Sequence, residues 1–366
     1  MTTRSEPARV VRLVPRDARP AHADVDLLLW AGVDRVIDRA PELSDLVGHR
    51  VEALAARRFR ALGRPVPQEF RAHERGAAIS SLVAPRLLAR VREACDGPIL
   101  VIKGPEVSIR YPDPALRPFK DLDLLVPRPQ EAQEALLAVG FEPIGDPSLY
   151  VDIHHLRPLA VRGLPISVEI HSQPKWLEQR TAPSTAELLA SAVPSTTGVE
   201  GVLAPDPVHH ALLLAAHSWA HEPLRRLRDL VDVAAMLQGL DRGEVGRVAR
   251  AWQVGRLWET TAATLDALFF GERVPFALRV WARNLLKVRE RTVLENHLER
   301  VLSNFWALPA RESAAALAPL LAEELRPKEG ETWGEKLGRS GQAVRDALRR
   351  RSEHDAALER RSSRPR

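Results

Sequence analysis

The chain has 366 residues, a net charge of +5 and an apolar fraction of 45%, a composition typical of a globular protein large enough for two domains. We expect no membrane span, because the sequence lacks the run of about 18 uncharged apolar residues that a spanning helix needs. The single cysteine, Cys95, excludes an internal disulfide framework and favours a cytoplasmic location.

The N-terminal quarter of the chain is predicted to be helical after a short arm. Residues 1–22 show no sustained hydrophobic period, which is typical of a disordered arm. Over 23–96, apolar residues recur at three- and four-residue spacing, which predicts a helical cap whose first helix ends before Pro41. A long helix over about 68–94, with Pro85 inside it, completes this cap.

A different hydrophobic pattern follows the cap. Fully apolar or alternating runs at 98–102, 122–126 and 166–171 predict short strands, and the run 130–138 predicts a helix between the last two of them. We therefore expect an α+β core with a small mixed β-sheet over 97–203.

The remainder of the chain is predicted to be helical. A helical domain is expected over 204–326, followed by a basic helical tail over 327–366. Charge of this kind is most often a solvated helix surface, and nucleic-acid binding by the tail is the alternative. The predicted architecture is a small mixed sheet flanked by N-terminal and C-terminal helical regions.

Two acids begin the second predicted strand. Asp121 and Asp123 are two residues apart, so their side chains leave the same face of the strand, and Leu122 and Leu124 leave the other. Neighbouring buried carboxylates repel each other, and a divalent cation between them would relieve that repulsion. The alternative is a pair exposed at the end of a sheet.

A third acid lies on another predicted strand. In the run 166–171, Glu169 and His171 share the polar face, opposite the apolar side chains. Two acids from one strand and one from its neighbour can hold two Mg²⁺ ions and clamp the reacting oxygens of a phosphoryl transfer. Glu169 could instead be a solvent-facing residue of an alternating strand.

Cations and a glycine surround the acids in sequence. Lys103 and Gly104 follow the first strand and lead into a short helix, where backbone can approach a phosphate closely. Arg117 and Lys120 lie just before Asp121, and Arg117 could bind a triphosphate tail with two parallel hydrogen bonds.

Several histidines lie in the helical domain. His217 and His221 are four residues apart, a spacing that can bind zinc, but the glutamate of the zinc-protease pattern is missing. We instead expect one or two of these histidines, His217 among them, to pack near a nucleotide site.

The middle of the chain resembles the uncharacterised nucleotidyltransferases of the DNA polymerase β superfamily. The resemblance lies in IKG (102–104), YPDPALRPFKDLDLLV (111–126), VGFEP (139–143) and SVEIH (167–171), and it extends over about 100–240.

This resemblance implies roles for the residues named above. Asp121 and Asp123 would be the metal-binding pair, Glu169 the third metal ligand and proton acceptor, and Gly104 the glycine of the phosphate loop. Nucleotide-binding residues would be Lys103, Gly104, Arg117, Lys120, His171 and His217.

The sequence also departs from the superfamily at two positions. Pro105 stands where a serine or glycine is usual, so phosphate contacts would rest on Lys103 and Arg117. Lys120 stands where a small residue is commoner, so it could serve phosphate binding or compete with the metal.

The predicted function is transfer of an NMP group from an NTP to an unidentified acceptor, a small molecule, a protein or RNA, with two Mg²⁺ ions. Because of Pro105 and Lys120, a non-catalytic relative that binds a nucleotide or a partner protein remains an alternative. A nucleotidyltransferase that modifies RNA ends is another.

Overall fold

The computed structural model describes residues 22–151, 153–221, 223–274 and 288–356. The arm expected over 1–22 lies outside these residues except for its last position, and so does the end of the tail, 357–366. Among the described residues, no helix is both long and apolar enough to cross a membrane.

The N-terminal region consists of helices, as the periodicity predicts. They are α1 (His22–Asp38), α2 (Leu43–Gly48), α3 (Glu52–Ala61) and α4 (Gln68–Ala94). The α1 helix ends before Pro41, and Pro85 lies inside α4. The predicted long helix is therefore confirmed over its full length.

A seven-stranded mixed sheet follows and confirms the α+β core. Its strands are β1 (Ile99–Val101), β2 (Asp121–Leu125), β3 (Glu142–Pro143), β4 (Leu159–Ala160), β5 (Ser167–His171), β6 (Val193–Pro194) and β7 (Val202–Ala204), in the order β3-β4-β5-β2-β1-β7-β6. Three helices interrupt it: α5 (Pro105–Ser108), α6 (Pro129–Ala138) and α7 (Thr185–Ala190). β1 runs antiparallel to β2 and parallel to β7, and β2 runs parallel to β5.

The two faces of β2 enter different apolar cores, as the two-residue period requires. Leu122 and Leu124 belong to a core with Leu88 of α4 and Leu136 of α6. Leu125, on the same face as the aspartates, belongs to a second core shared with the C-terminal helices. The sheet is therefore covered on both faces, and the acids lie where the second core ends.

Further helices complete the described part of the chain. They are α8 (Pro207–His221), α9 (Leu227–Met236), α10 (Arg242–Ala251), α11 (Gly255–Phe269), α12 (Val293–Leu302), α13 (Asn304–Ala307), α14 (Ala310–Leu325) and α15 (Trp333–Leu348).

The N-terminal and C-terminal helical regions share one apolar core. Leu29 and Val33 of α1 are buried in the same cluster as Leu265 and Phe269 of α11. A side chain at Gly32 would overlap the backbone of Phe269, so only glycine permits this close approach. Helices that precede and follow the sheet in sequence thus share one apolar core.

The segment after α15 packs against the rest of the protein. Ser352 and Ala356 are buried. The backbone amide of Glu353 donates to the carbonyl of Arg291 at 2.8 Å, and its carboxylate accepts from Arg225 at 2.5 Å. These contacts fix the described end of the basic tail against the rest of the protein.

Candidate active site

The loop after β1 brings Gly104 against the first acid strand. Gly104 has φ +60 and ψ −118, a conformation that side chains disfavour, and a Cβ there would lie 3.2 Å from the carbonyl oxygen of Asp121. Its own carbonyl accepts hydrogen bonds from the backbone of Ser108 at 3.1 Å and from Arg117 Nη1 at 3.3 Å. Glycine therefore permits the close approach of this loop to β2.

Parallel pairing of β2 and β5 places the second and third predicted acids side by side. Asp123 is directly opposite Glu169 in the register, and Asp121 is opposite Ser167. Directly opposed residues of neighbouring strands project from the same face of the sheet. Three predicted acids therefore line one cleft, together with His171.

Three of these side chains, those of Asp123, Glu169 and His171, bring possible metal-ligand atoms close together. Oxygen atoms of Asp123 and Glu169 and a ring nitrogen of His171 all lie within 4.8 Å of one another. His171 Nε2 is 3.1 Å from Asp123 Oδ1 and 3.8 Å from Glu169 Oε2. From the resemblance we predicted that His171 binds the nucleotide, whereas the geometry also places it among the candidate metal ligands.

Opposing electrostatic effects act on the aspartate pair. Burial disfavours ionisation of Asp123, but the charge of Lys103 and the hydrogen bond with His171 outweigh it and lower its pKa below the usual range. Burial, together with the charge of Asp123, raises the pKa of Asp121. The two carboxylates are thus unequal, and the deeper one is the more readily ionised.

The third acid, Glu169, is affected by burial and by repulsion from both aspartates. Burial, and then the charges of Asp123 and Asp121, raise its pKa to about 7. A bound divalent cation would favour the ionised form of all three acids, and carboxylate oxygens are the ligands that hard cations prefer. The donor set therefore fits a Mg²⁺ site.

Lys103 lies between the acids and the helical part of the protein. Its Nζ is 2.6 Å from Nε2 and 2.9 Å from Nδ1 of His217, so the ammonium can donate to whichever ring nitrogen is unprotonated. One predicted histidine of α8 therefore does reach the site. A second, His210, donates from Nε2 to the carbonyl of Ile102 at 2.9 Å and holds the end of β1 against α8.

Arg117 is bound by a carboxylate that the sequence interpretation did not include. Its Nε and Nη2 donate to the two oxygens of Asp232 at 2.7 and 2.8 Å, and the hydroxyl of Tyr111 donates to the same carboxylate at 2.6 Å. Asp232 lies between Val231 and Val233 in α9, and an acid within such an apolar run was the available signal. The structure thus gives Arg117 a structural partner at the position where we expected a phosphate contact.

A cleft of about 790 Å³ contains all the predicted residues. Lys120 lies at it with an exposed side chain, in contrast to the half-buried Lys103. Cationic or basic residues that the sequence did not single out also line it: Arg50, His73, Lys175, Arg226 and Arg228. No local signal marks them, because they come from other segments than the acid strands: His73 from α4, Arg228 from α9, and Arg50, Lys175 and Arg226 from loops.

Two more imidazoles lie beside His171. Its ring centroid is 5.4 Å from that of His154 and 5.2 Å from that of His155. Burial, followed by the charge of His171, lowers the pKa of His154 to about 3. Near neutral pH this ring is therefore uncharged.

A family model described as an uncharacterised nucleotidyltransferase matches residues 42–271, more than half of the chain. The matched region includes the whole sheet, the three acids and the Arg117–Asp232 pair. Comparisons with curated proteins and with solved structures found no match.

Proposed function

We propose that this chain, which belongs to the family of uncharacterised nucleotidyltransferases, transfers an NMP group from an NTP to an acceptor in a Mg²⁺-dependent reaction. The observation that carries the proposal is the pairing of Asp123 with Glu169 across neighbouring strands, with Asp121 in the same cleft. Family membership supports nucleotidyl transfer as the reaction class, and the donor, the metal and the acceptor are our inference.

The metal ligands would be Asp121, Asp123 and Glu169. The ring nitrogen of His171 lies within 4.8 Å of oxygens of Asp123 and Glu169, and Asp121 lines the same cleft. Bound Mg²⁺ would offset the negative charge of the phosphates in the transition state. The donor set supports this assignment, because the three acids lie in one partly buried cleft, where burial and the charge of neighbouring acids raise the pKa values of Asp121 and Glu169.

The protein's own groups would position the donor. Lys103 would donate to phosphate oxygens from beside the acids, with His217 fixing its ammonium. Gly104 would let the backbone of the loop approach the phosphates. Pro105 removes both the hydroxyl contact that a serine would add and the backbone N–H that another residue would offer there. Lys120, on the exposed side, would contribute charge without a fixed geometry.

The acceptor would enter the same cleft. Glu169 would take the proton of an acceptor hydroxyl while the hydroxyl oxygen attacks the α-phosphorus of the NTP. The bond between the α-phosphorus and the departing pyrophosphate would then break. The acceptor could be a small molecule, a protein or RNA, and the volume of about 790 Å³ leaves room for donor and part of an acceptor together.

A pyrophosphate-release assay tests the proposal. Purified protein would be incubated with each NTP, Mg²⁺ and a panel of acceptors that includes the protein itself, and released pyrophosphate would be measured. We expect release that EDTA abolishes and that Asp121→Asn and Asp123→Asn each reduce at least about 100-fold, because both remove charge from the metal site.

The matched control is Asp113→Asn, an acid outside the cleft whose side chain caps the turn at Ala115. Full activity in the Asp121→Asn and Asp123→Asn variants would overturn the assignment of the site. NTP binding without turnover across the whole panel would instead favour a non-catalytic relative.

A further inference from the structure

A triphosphate donor brings several negative charges into the cleft. Arg117, which we expected to bind them, is already paired with Asp232. Three nitrogens of Arg117 donate to protein groups: two to Asp232 and one to the carbonyl of Gly104. Its side chain is only 5% exposed. A phosphate contact with these nitrogens would break a buried pair, so charge for the phosphates must come from elsewhere in the cleft.

Three arginines of the helical part line the same cleft. Arg50 lies in the turn between α2 and α3, Arg226 precedes α9, and Arg228 lies in the first turn of α9. We call Arg50, Arg226 and Arg228 the arginine group. They belong to two segments that are far apart in sequence but adjacent in the fold.

His49 fastens the two segments to each other. The backbone amide of Leu227 donates to His49 Nδ1 at 3.2 Å, and the amide of Arg228 donates to the carbonyl of His49 at 3.3 Å. His49 is buried, so this connection is shielded from water. The arginine group is therefore held by a fixed scaffold.

Backbone strain occurs in both segments. Arg50 has φ +56 and Leu224 has φ +49, in the left-handed region that non-glycine residues rarely adopt. Strain of this kind persists where the surrounding structure holds it, and it is concentrated at functional sites. Here it accompanies the two turns that bring arginines to the cleft.

Arg228 has an unused donor. Its Nε is shielded from solvent and has no hydrogen-bond partner among the described residues. The nearest carboxylate oxygen, Asp229 Oδ1, is 3.7 Å away, which is too long for a hydrogen bond. A buried guanidinium donor without a partner is unfavourable, and an anion in the cleft would satisfy it.

The carboxylates near Arg228 do not accept a hydrogen bond from its Nε. Asp232 is already paired with Arg117, and Asp229 Oδ1 is 3.7 Å from Nε. An anion bound beside Arg228 would therefore not have to displace an existing hydrogen bond of this nitrogen.

We propose that Arg228, with Arg226 and Arg50 beside it, binds phosphate groups of the ligand on the helical side of the cleft. The inference rests on the proposed function for the identity of the ligand. The shared chemistry is a phosphate dianion or polyphosphate, from either the β- and γ-phosphates of the donor or a phosphorylated acceptor. Guanidinium groups suit this task, because their planar donors match phosphate oxygens in pairs.

The test is binding of inorganic pyrophosphate to the full chain, measured by calorimetry in EDTA so that only protein charges contribute. We expect Arg228→Gln to weaken pyrophosphate binding about tenfold or more, and Arg228→Lys to weaken it less, because lysine keeps the charge but loses the paired donors. Arg247→Gln is the matched control, since Arg247 is 68% exposed and outside the cleft. If Arg228→Gln fails to fold, Arg226→Gln carries the same expectation.

Parallel titrations with NTP and NMP separate the two sources of phosphate. If Arg228→Gln weakens binding of NTP but not of NMP, the arginine group binds the terminal phosphates of the donor. If it weakens binding of pyrophosphate but of neither nucleotide, the group binds a phosphate of the acceptor. Unchanged pyrophosphate affinity in a folded Arg228→Gln variant would overturn the inference, even if nucleotide transfer were observed. Pyrophosphate binding through Arg228 without any transfer would instead count against the proposed reaction alone.

Discussion

Arg117 and Asp232 form a buried ion pair with two hydrogen bonds, of 2.7 and 2.8 Å, between the loop before β2 and helix α9. Both side chains are almost fully shielded from water, with exposed fractions of 5% and 6%. Burial opposes both charges, but each partner favours the charged form of the other, so the pKa of Arg117 is raised and that of Asp232 is lowered. The pair joins the acid strand to the helices.

Replacement of Asp232 by asparagine should destabilise the protein strongly. The change leaves the guanidinium of Arg117 buried without a counter-charge, which typically costs about 3–5 kcal/mol. Urea unfolding of the two proteins measures the difference. Asp266→Asn is the control, because its pair with Arg242 is about one-third exposed and such pairs contribute about 0–1 kcal/mol. Equal losses in the two variants would contradict a special role for the buried pair.

Replacement of Gly104 by alanine should reduce both stability and activity. A side chain at φ +60 is strained by about 1–3 kcal/mol, and its Cβ would press on the carbonyl of Asp121 at 3.2 Å. Gly97→Ala separates the two effects, since Gly97 also has positive φ but open space around it. We expect both variants to lose stability in urea but only Gly104→Ala to lose pyrophosphate release. A fully active Gly104→Ala variant would show that the loop tolerates displacement.

Stability should fall as the solution is acidified from pH 7 to 5, in part because of His49. Burial, followed by the charge of Arg291, lowers its pKa from 6.5 to about 4 in the folded protein. The unfolded chain therefore binds this proton in a pH range where the folded chain does not, so acid favours unfolding. The linkage amounts to about 2 kcal/mol between pH 7 and 5.

The measurement is urea unfolding at several pH values for wild type and His49→Asn. Asparagine keeps an acceptor for the amide of Leu227 but cannot take up the proton, so the pH dependence should become shallower. An unchanged slope in His49→Asn would show that this residue does not contribute the linkage.

Lys103 should matter more for catalysis than Lys120. Lys103 is half-buried beside the acids, where charge is poorly screened, whereas the side chain of Lys120 is exposed. We expect Lys103→Met to lower kcat/KM for pyrophosphate release about 100-fold or more and Lys120→Met to lower it less than about tenfold. Comparable losses would mean that Lys120 contacts the phosphates directly.

Local patterns predicted much of the sheet and the acid face. The two-residue period at Asp121 and Asp123, and again at Glu169 and His171, correctly separated the polar faces of β2 and β5 from their apolar faces. These assignments succeeded because alternation along a strand is a property of adjacent residues. The parallel pairing of the two strands then brought Asp123 and Glu169 together.

The pairings across the cleft could not be predicted in the same way. Asp232 is 115 residues from Arg117, and nothing in its neighbourhood identifies that partner. The contact between His49 and Leu227 spans 178 residues. Both contacts depend on how helices pack on the sheet, which sequence periodicity does not specify. The sequence therefore indicated that Arg117 lies near the acids but not that Asp232 is its partner.

The shared core of α1 and α11 also affects how the chain folds during synthesis. Gly32 meets Phe269 only after more than 200 further residues have been made, and the whole sheet lies between them. At about 5–20 residues per second, α1 would wait roughly 10–50 seconds on the ribosome for its partner. Contacts of such long sequence separation favour slow folding. The N-terminal helix would then complete its packing only after α11 has been made, and exposed apolar surface on it would need protection until then.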